Sequence, residues 1–147
     1  MSQRILVSAC LLGVCCRYDG KGNANEAILS LMNREDITLI PVCPEQLGGM
    51  VTPRIPSERK DGRVYNRAGE DVTHHFLRGA EEALRIAKLY GCRTAILKER
   101  SPSCGCGRVY DGSFSGKLTE GDGVTAELLK KEGIQIYGES QITDLID

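Results

Sequence analysis

The amino-acid sequence predicts an α/β fold: a single three-layer domain with a mainly parallel, four-stranded, Rossmann/flavodoxin-like sheet and a small β-hairpin beside it. Three observations carry this expectation. Four short runs rich in β-formers are separated by amphipathic helical stretches with recognisable ends, and that alternation calls for a parallel sheet with helical crossovers. No internal repeat or low-complexity tract interrupts the pattern. With 147 residues, the chain buries about two-thirds of its unfolded surface, enough for a core without staples.

Arg4-Ile5-Leu6-Val7-Ser8 is the first strand, a short apolar run suited to a buried parallel position. Asn25 to Asn33 follows as a helix, with Ala27, Ile28, Leu31 and Met32 on one face and Asn25 as its cap. Ile37-Thr38-Leu39-Ile40-Pro41-Val42 is the second strand, and the proline-bearing stretch from Pro44 to Pro56 reads as loop. Arg63-Val64-Tyr65-Asn66 and Glu70-Asp71-Val72, around Arg67-Ala68-Gly69, predict the hairpin. Thr73 then caps the longest helix, where Phe76, Leu77, Ala80, Ala83, Leu84 and Ala87 recur at three- and four-residue steps until Gly91 ends it. Thr94-Ala95-Ile96-Leu97-Lys98 is the third strand, followed by a Gly/Ser-rich loop from Glu99 to about Asp122. Val124 to Lys131 is the last helix, stopped by Gly133, and Ile134-Gln135-Ile136-Tyr137 is the fourth strand.

Nineteen Lys and Arg against twenty Asp and Glu give a net charge of -1 with no run of like charge, which disfavours a nucleic-acid-binding face. No twenty-residue apolar run exists to cross a membrane. Val7-Ser8-Ala9-Cys10 has the look of a lipoprotein box, but only Ile5, Leu6 and Val7 precede it as an apolar stretch, too few for a signal. A cytoplasmic location is therefore expected. Seven cysteines cannot all pair, and in a reducing compartment clustered thiols bind metal or do chemistry more often than they form disulfides.

Cys10 follows the first strand, Cys43 the second, and Cys104 lies in the loop after the third. In an open parallel sheet the strand carboxyl ends share the edge where ligands bind, so three thiols could converge there. For a single cysteine, packing in a core is the more economical reading; three at equivalent topological positions weaken it. Three thiolates suit a zinc site with an open position or a cubane iron–sulfur cluster with one iron not held by the protein, and composition does not choose between them. Cys15, Cys16 and Cys106 read as spare thiols near the site, and Cys92 as inert. His74 and His75 open the long helix, away from that edge. Glu45, two residues after Cys43, and Ser101, three before Cys104, would be carried to the same pocket, and a carboxyl beside a hydroxyl is what proton transfer needs. Gly121-Asp122-Gly123 reads first as a plain helix start, and second as an anion-binding turn.

Ser8-Ala9-Cys10-Leu11-Leu12-Gly13, Cys16-Arg17-Tyr18-Asp19-Gly20, Pro41-Val42-Cys43-Pro44-Glu45-Gln46-Leu47-Gly48-Gly49, Lys98-Glu99-Arg100-Ser101-Pro102-Ser103-Cys104-Gly105 and Gly121-Asp122-Gly123-Val124-Thr125-Ala126 together resemble a bacterial family that includes the thiouracil desulfidases. The resemblance runs in order along nearly the whole chain, so residues 1–147 are expected to form one desulfidase-like domain. It implies a [4Fe-4S] cluster held by Cys10, Cys43 and Cys104, with the fourth iron open to sulfur, and catalytic roles for Glu45 and Ser101. The implied reaction is non-redox: the thiocarbonyl of a small thiolated substrate such as thiouracil is replaced by oxygen and sulfide leaves. Cys15 and Cys106 depart from the family pattern. A monomer or homodimer acting on a small molecule is expected, without nucleic acid or membrane. The competing readings are a zinc-binding or sulfur-carrier protein without turnover and a redox protein using Cys104 and Cys106 as a dithiol.

Overall fold

The computed structural model describes residues 2–143. In chain order its elements are β1 (Gln3–Ser8), α1 (Glu26–Ser30), β2 (Ile37–Val42), α2 (Pro44–Leu47), β3 (Ser57–Lys60), β4 (Arg63–Asn66), α3 (Thr73–Tyr90), β5 (Thr94–Leu97), β6 (Arg108–Tyr110), β7 (Leu118–Glu120), α4 (Val124–Lys131) and β8 (Gln135–Gly138). The central sheet is all parallel, in the order β2-β1-β5-β8. Side chains alternate across it. Ile5, Val7 and Ile96 pack with Ile28 of α1 and Leu31 on one face, while Leu6, Ala95 and Leu97 meet Ala87 of α3 and Ala126 and Leu129 of α4 on the other. Because β1 and β5 are buried on both faces, their continuous apolar runs are what a three-layer sandwich requires.

Five local expectations need correction. The Pro44 to Pro56 stretch is not all loop: Pro44 opens the short helix α2 at a first-turn position, where its missing N–H has no helical partner to lose. The hairpin pairs β3 with β4 across Asp61-Gly62, both at positive φ as a tight two-residue turn demands. Residues 70–72 return only as a single bridge from Tyr65 to Asp71. A second antiparallel pair, β6 with β7, lies inside the expected 99–122 loop. At α3 the hydroxyl of Thr73 does not cap; it accepts the Val64 N–H at 2.9 Å, and Asp71 Oδ1 accepts the Thr73 N–H at 2.9 Å. Asn25 does cap α1, accepting the Ile28 N–H at 3.1 Å, but Ala27 and Met32 lie exposed, and after Ser30 the chain continues as a 3₁₀ turn.

Two features of the frame aim the site. β1 feeds β2 on one side and β5 lies on the other, so the sheet changes winding direction at β1, and the crevice beyond the strand carboxyl ends opens there. α3 also packs tightly on α2. A β-carbon at Gly79 would run into the Pro44 carbonyl, and one at Gly48 into the His75 carbonyl. That close approach fixes the backbone that carries Glu45.

Candidate active site at the carboxyl edge of the sheet

Parallel register brings the strand ends level, with Ser8 beside Val42 and Val7 beside Ile96. Cys10 sits in a 3₁₀ turn directly after β1, Cys43 directly after β2, and Cys104 in the loop after β5. All three line one cavity of about 540 Å³, together with Glu45 and Ser101. Backbone bonds hold each in place. The Cys10 carbonyl accepts from the N–H of Gly13 and Asn23, and Ser8 Oγ accepts the Lys98 N–H at 2.9 Å, tying β1 to the start of the Cys104 loop. Carbonyls of Pro102 and Ser103 accept the N–H groups of Val124, Thr125 and Ala126, so the Cys104 loop itself caps α4. Those amides are thereby engaged, and the plain helix-start reading of Gly121-Asp122-Gly123 fits.

Cys16 belongs to the site, which spacing alone did not reveal. It is buried and lines the same cavity, its thiol neighbours those of Cys10 and Cys43, and its carbonyl accepts the Cys43 thiol at 3.6 Å. The only sequence sign was its place at the head of the Cys16-Arg17-Tyr18-Asp19-Gly20 motif. The other cysteines lie elsewhere: Cys15 is exposed, Cys106 neighbours Lys130, and Cys92 packs in the apolar layer against α3. Cys106 does not border the cavity that Cys104 lines. His75 Nδ1 bonds the Gly48 carbonyl oxygen at 2.8 Å, and neither histidine lines the cavity.

Burial pushes the Cys104 thiol up to about 12, against the lowering effect of the Ser8 and Ser103 hydroxyls. The hydrogen bond with Cys10 is the main cause that raises Cys16, to about 11. Cys43 is raised first by its bond with Cys16 and then by burial. These thiols therefore stay protonated unless a cation replaces their protons. Among the described residues, no three Cys, His, Asp or Glu side chains approach closely enough to share one metal ion. Soft, buried sulfurs spread around a common cavity fit a larger group, with one thiolate per metal atom, better than a lone zinc ion.

Beside the thiols runs a polar chain. Glu45 Oε1 accepts from Arg54 Nε at 2.9 Å, in an ion pair whose side chains are 16% and 5% exposed. Glu45 Oε2 accepts from Ser103 Oγ at 3.1 Å, and Ser103 Oγ lies 2.9 Å from Ser101 Oγ. Ser101 Oγ accepts the N–H groups of Ser103 and Cys104, each at 3.1 Å. Its lone pairs are thus occupied and its hydrogen is the group left to give. Glu45 and Ser101, expected as neighbours, are joined through Ser103 rather than directly. Arg54 does more than pair with Glu45: it also donates to the Cys16 carbonyl at 2.9 Å and to Thr52 Oγ1 at 2.9 Å. Arg54 and Ser103 escaped the sequence reading because an arginine in a proline-bearing stretch and a serine in a Gly/Ser-rich loop carry no periodic signal.

A doubly wound α/β sheet with a thiol-lined cavity at its switch point, and a carboxylate–hydroxyl chain on the cavity wall, places the chain among α/β enzymes with a thiol-lined site. Residues 5–141 match the 2-thiouracil desulfurase family, and the chain belongs to it. The uncharacterised protein YbbK of Bacillus subtilis (strain 168) is 42% identical over 152 residues, covering 97% of this chain and 99% of that protein. A solved structure described as the [4Fe-4S]-dependent thiouracil desulfidase TudS is similar with a TM-score of 0.91 and 44% identity, covering 98% of this chain and 95% of that one.

Proposed function

We propose that this chain, acting as one desulfidase domain over residues 1–147, exchanges the thiocarbonyl sulfur of a thiolated pyrimidine such as thiouracil for oxygen, using a [4Fe-4S] cluster held by Cys10, Cys43 and Cys104. The observation that carries the reading is the meeting of these three thiols in one cavity with the Glu45 carboxylate on its wall. Membership of the 2-thiouracil desulfurase family and the likeness to TudS support the substrate and the cofactor. The cavity volume also lies within the range of small-molecule sites, about 300–1,000 Å³.

Thiouracil and water give uracil and hydrogen sulfide, with no change in oxidation state. Bound to these thiolates, the cluster supplies soft Lewis acidity toward sulfur from an iron that the protein leaves free. The chain's own task is to move protons. Glu45, fixed in orientation by Arg54, takes a proton from the attacking water, and Ser101 gives its hydrogen toward the ring nitrogen or the leaving sulfur. Ser103 links the two, so a proton lost at Ser101 is replaced from Glu45 through two hydrogen bonds, and the carboxylate is regenerated for the next cycle.

Anaerobic reconstitution with iron and sulfide, followed by assay on a panel of thiolated pyrimidines, tests the proposal. Stoichiometric uracil and sulfide are expected from 2-thiouracil. A protein that takes up a full cluster and converts no member of the panel would end the desulfidase reading.

A further inference from the structure

One wall of the cavity is explained neither by the thiols nor by the serine chain. β6 and β7 are joined by residues 111–117, far longer than the two-residue turn that suffices for a hairpin. Within this connection Phe114 sits at φ 56, the left-handed region that residues with side chains avoid. It is held there by Glu58 of β3. This acid is 9% exposed, and its Oε1 accepts the N–H groups of Gly112 and Phe114, each at 3.0 Å. Among the described residues, no cation pairs with that carboxylate.

A strained backbone pinned by a buried acid persists only where the surroundings over-determine it, and such strain collects at ligand clamps. Phe114 lines the same cavity as Cys10, Cys43 and Cys104. Arg67 lines it too, with its guanidinium carbon 5.7 Å from the Phe114 ring centroid, a cation–π distance that fixes the ring further.

We propose that Phe114 is the specificity-determining wall of this cavity, stacking on the flat ring of a thiolated heteroaromatic substrate, and that Glu58 is the positioning residue that holds it in place. The inference rests on the desulfidase reading and deepens it. Stacking is selective for a planar π-system and indifferent to the ring's hydrogen-bonding pattern. The site therefore prefers 2-thiouracil to its ring-saturated 5,6-dihydro analogue, although both carry the same thiocarbonyl.

The test uses the full chain with its cluster, as wild type, Phe114→Gly, Glu58→Ala and Glu58→Gln. Measured are KM and kcat for both substrates, equilibrium binding of uracil, the visible absorbance of the cluster and the melting temperature. Phe114→Gly removes the ring and relieves the positive φ, so it should melt no lower than wild type and keep its cluster absorbance. Its KM for 2-thiouracil should rise roughly 5- to 150-fold, the range expected for one lost base–aromatic stack, with kcat little changed and the preference over the dihydro analogue lost. Glu58→Ala should reproduce the rise in KM. Glu58→Gln retains an acceptor oxygen and should restore most of the binding, which a merely structural role for the charge would not predict. Unchanged KM and unchanged discrimination in Phe114→Gly would overturn the inference while leaving the desulfidase reading intact. A cluster-loaded wild type inert toward 2-thiouracil would overturn both.

Discussion

Glu45→Gln separates chemistry from architecture at the centre of the proposed mechanism. The change keeps the side-chain volume but removes the charge that faces Arg54, a guanidinium only 5% exposed. Breaking one partner of a buried ion pair costs about 3–5 kcal/mol. Arg54 keeps three neutral acceptors in Val51 O, Thr52 Oγ1 and Cys16 O, which places this variant near the lower figure. For a chain of this size about 3 kcal/mol corresponds to a fall of about 6–12 °C in Tm. If Glu45 also moves the proton, the rate per bound cluster falls by about 10²-fold or more, the usual size of a general-base effect. Arg54→Met provides the control, because it breaks the same pair from the other side and leaves the carboxylate in place. Its Tm should fall at least as far, while its rate per cluster falls less than in Glu45→Gln, because only the orientation of the carboxylate is lost and the base itself remains. Thermal melts followed by circular dichroism, with uracil formation normalised to bound iron, give both quantities. An undiminished rate per cluster in Glu45→Gln would refute the reasoning, as would an Arg54→Met variant slowed just as much.

Cys10→Ser, Cys43→Ser and Cys104→Ser should each prevent stable cluster assembly, whereas Cys92→Ser and Cys16→Ser should retain iron; full iron in Cys43→Ser, read by metal analysis, would show the ligand set to be wrong. The cluster-free protein should lose stability as pH rises above 9.0, because unfolded thiols ionise there while folded Cys16 and Cys104 hold their protons up to about 11 and about 12. Each such thiol then lowers stability by about 1.4 kcal/mol per pH unit across that window, so the urea midpoint should hold up to about pH 9 and drop from there to about pH 11, and a flat profile would contradict the buried-thiol picture. Gly79→Ala forces a methyl group against the Pro44 carbonyl; overpacking of this kind costs about 1–3 kcal/mol, and displacement of α2 should also lower the rate per cluster. Equal stability and rate in that variant would mean that α2 does not set the position of Glu45.

The two central strands were legible because they are buried on both faces, so Ile5-Leu6-Val7 and Ala95-Ile96-Leu97 appear as unbroken apolar runs. The long helix was legible from its three- and four-residue apolar steps. What escaped was structure fixed by backbone geometry and distant contacts. The Asp61-Gly62 turn competes with Arg67-Ala68-Gly69 a few residues downstream, and only the pairing of β3 with β4 decides between them; β6 and β7 are three residues each, too short for alternation to register. Cys10, Cys43 and Cys104 could be grouped because each follows a strand and parallel strands share an edge. Cys16 could not, since it reaches the cavity only through the folding back of the 13–20 segment, a path held by bonds such as that from the Arg17 N–H to the Lys21 carbonyl. Ser103 and Arg54 likewise acquire their places from tertiary contacts 58 and 38 residues away in sequence, with Glu45 and Cys16 respectively.

The central claim is that a protein-bound cluster exchanges sulfur for oxygen without moving electrons. Its most direct test is turnover of 2-thiouracil by the reconstituted protein in ¹⁸O-labelled water with no reductant or oxidant present. The account predicts one labelled oxygen in uracil and one sulfide released for each substrate consumed, over many turnovers, with zinc-loaded protein inactive. Uracil that carries no label, or turnover that stops unless an electron donor is added, would contradict it.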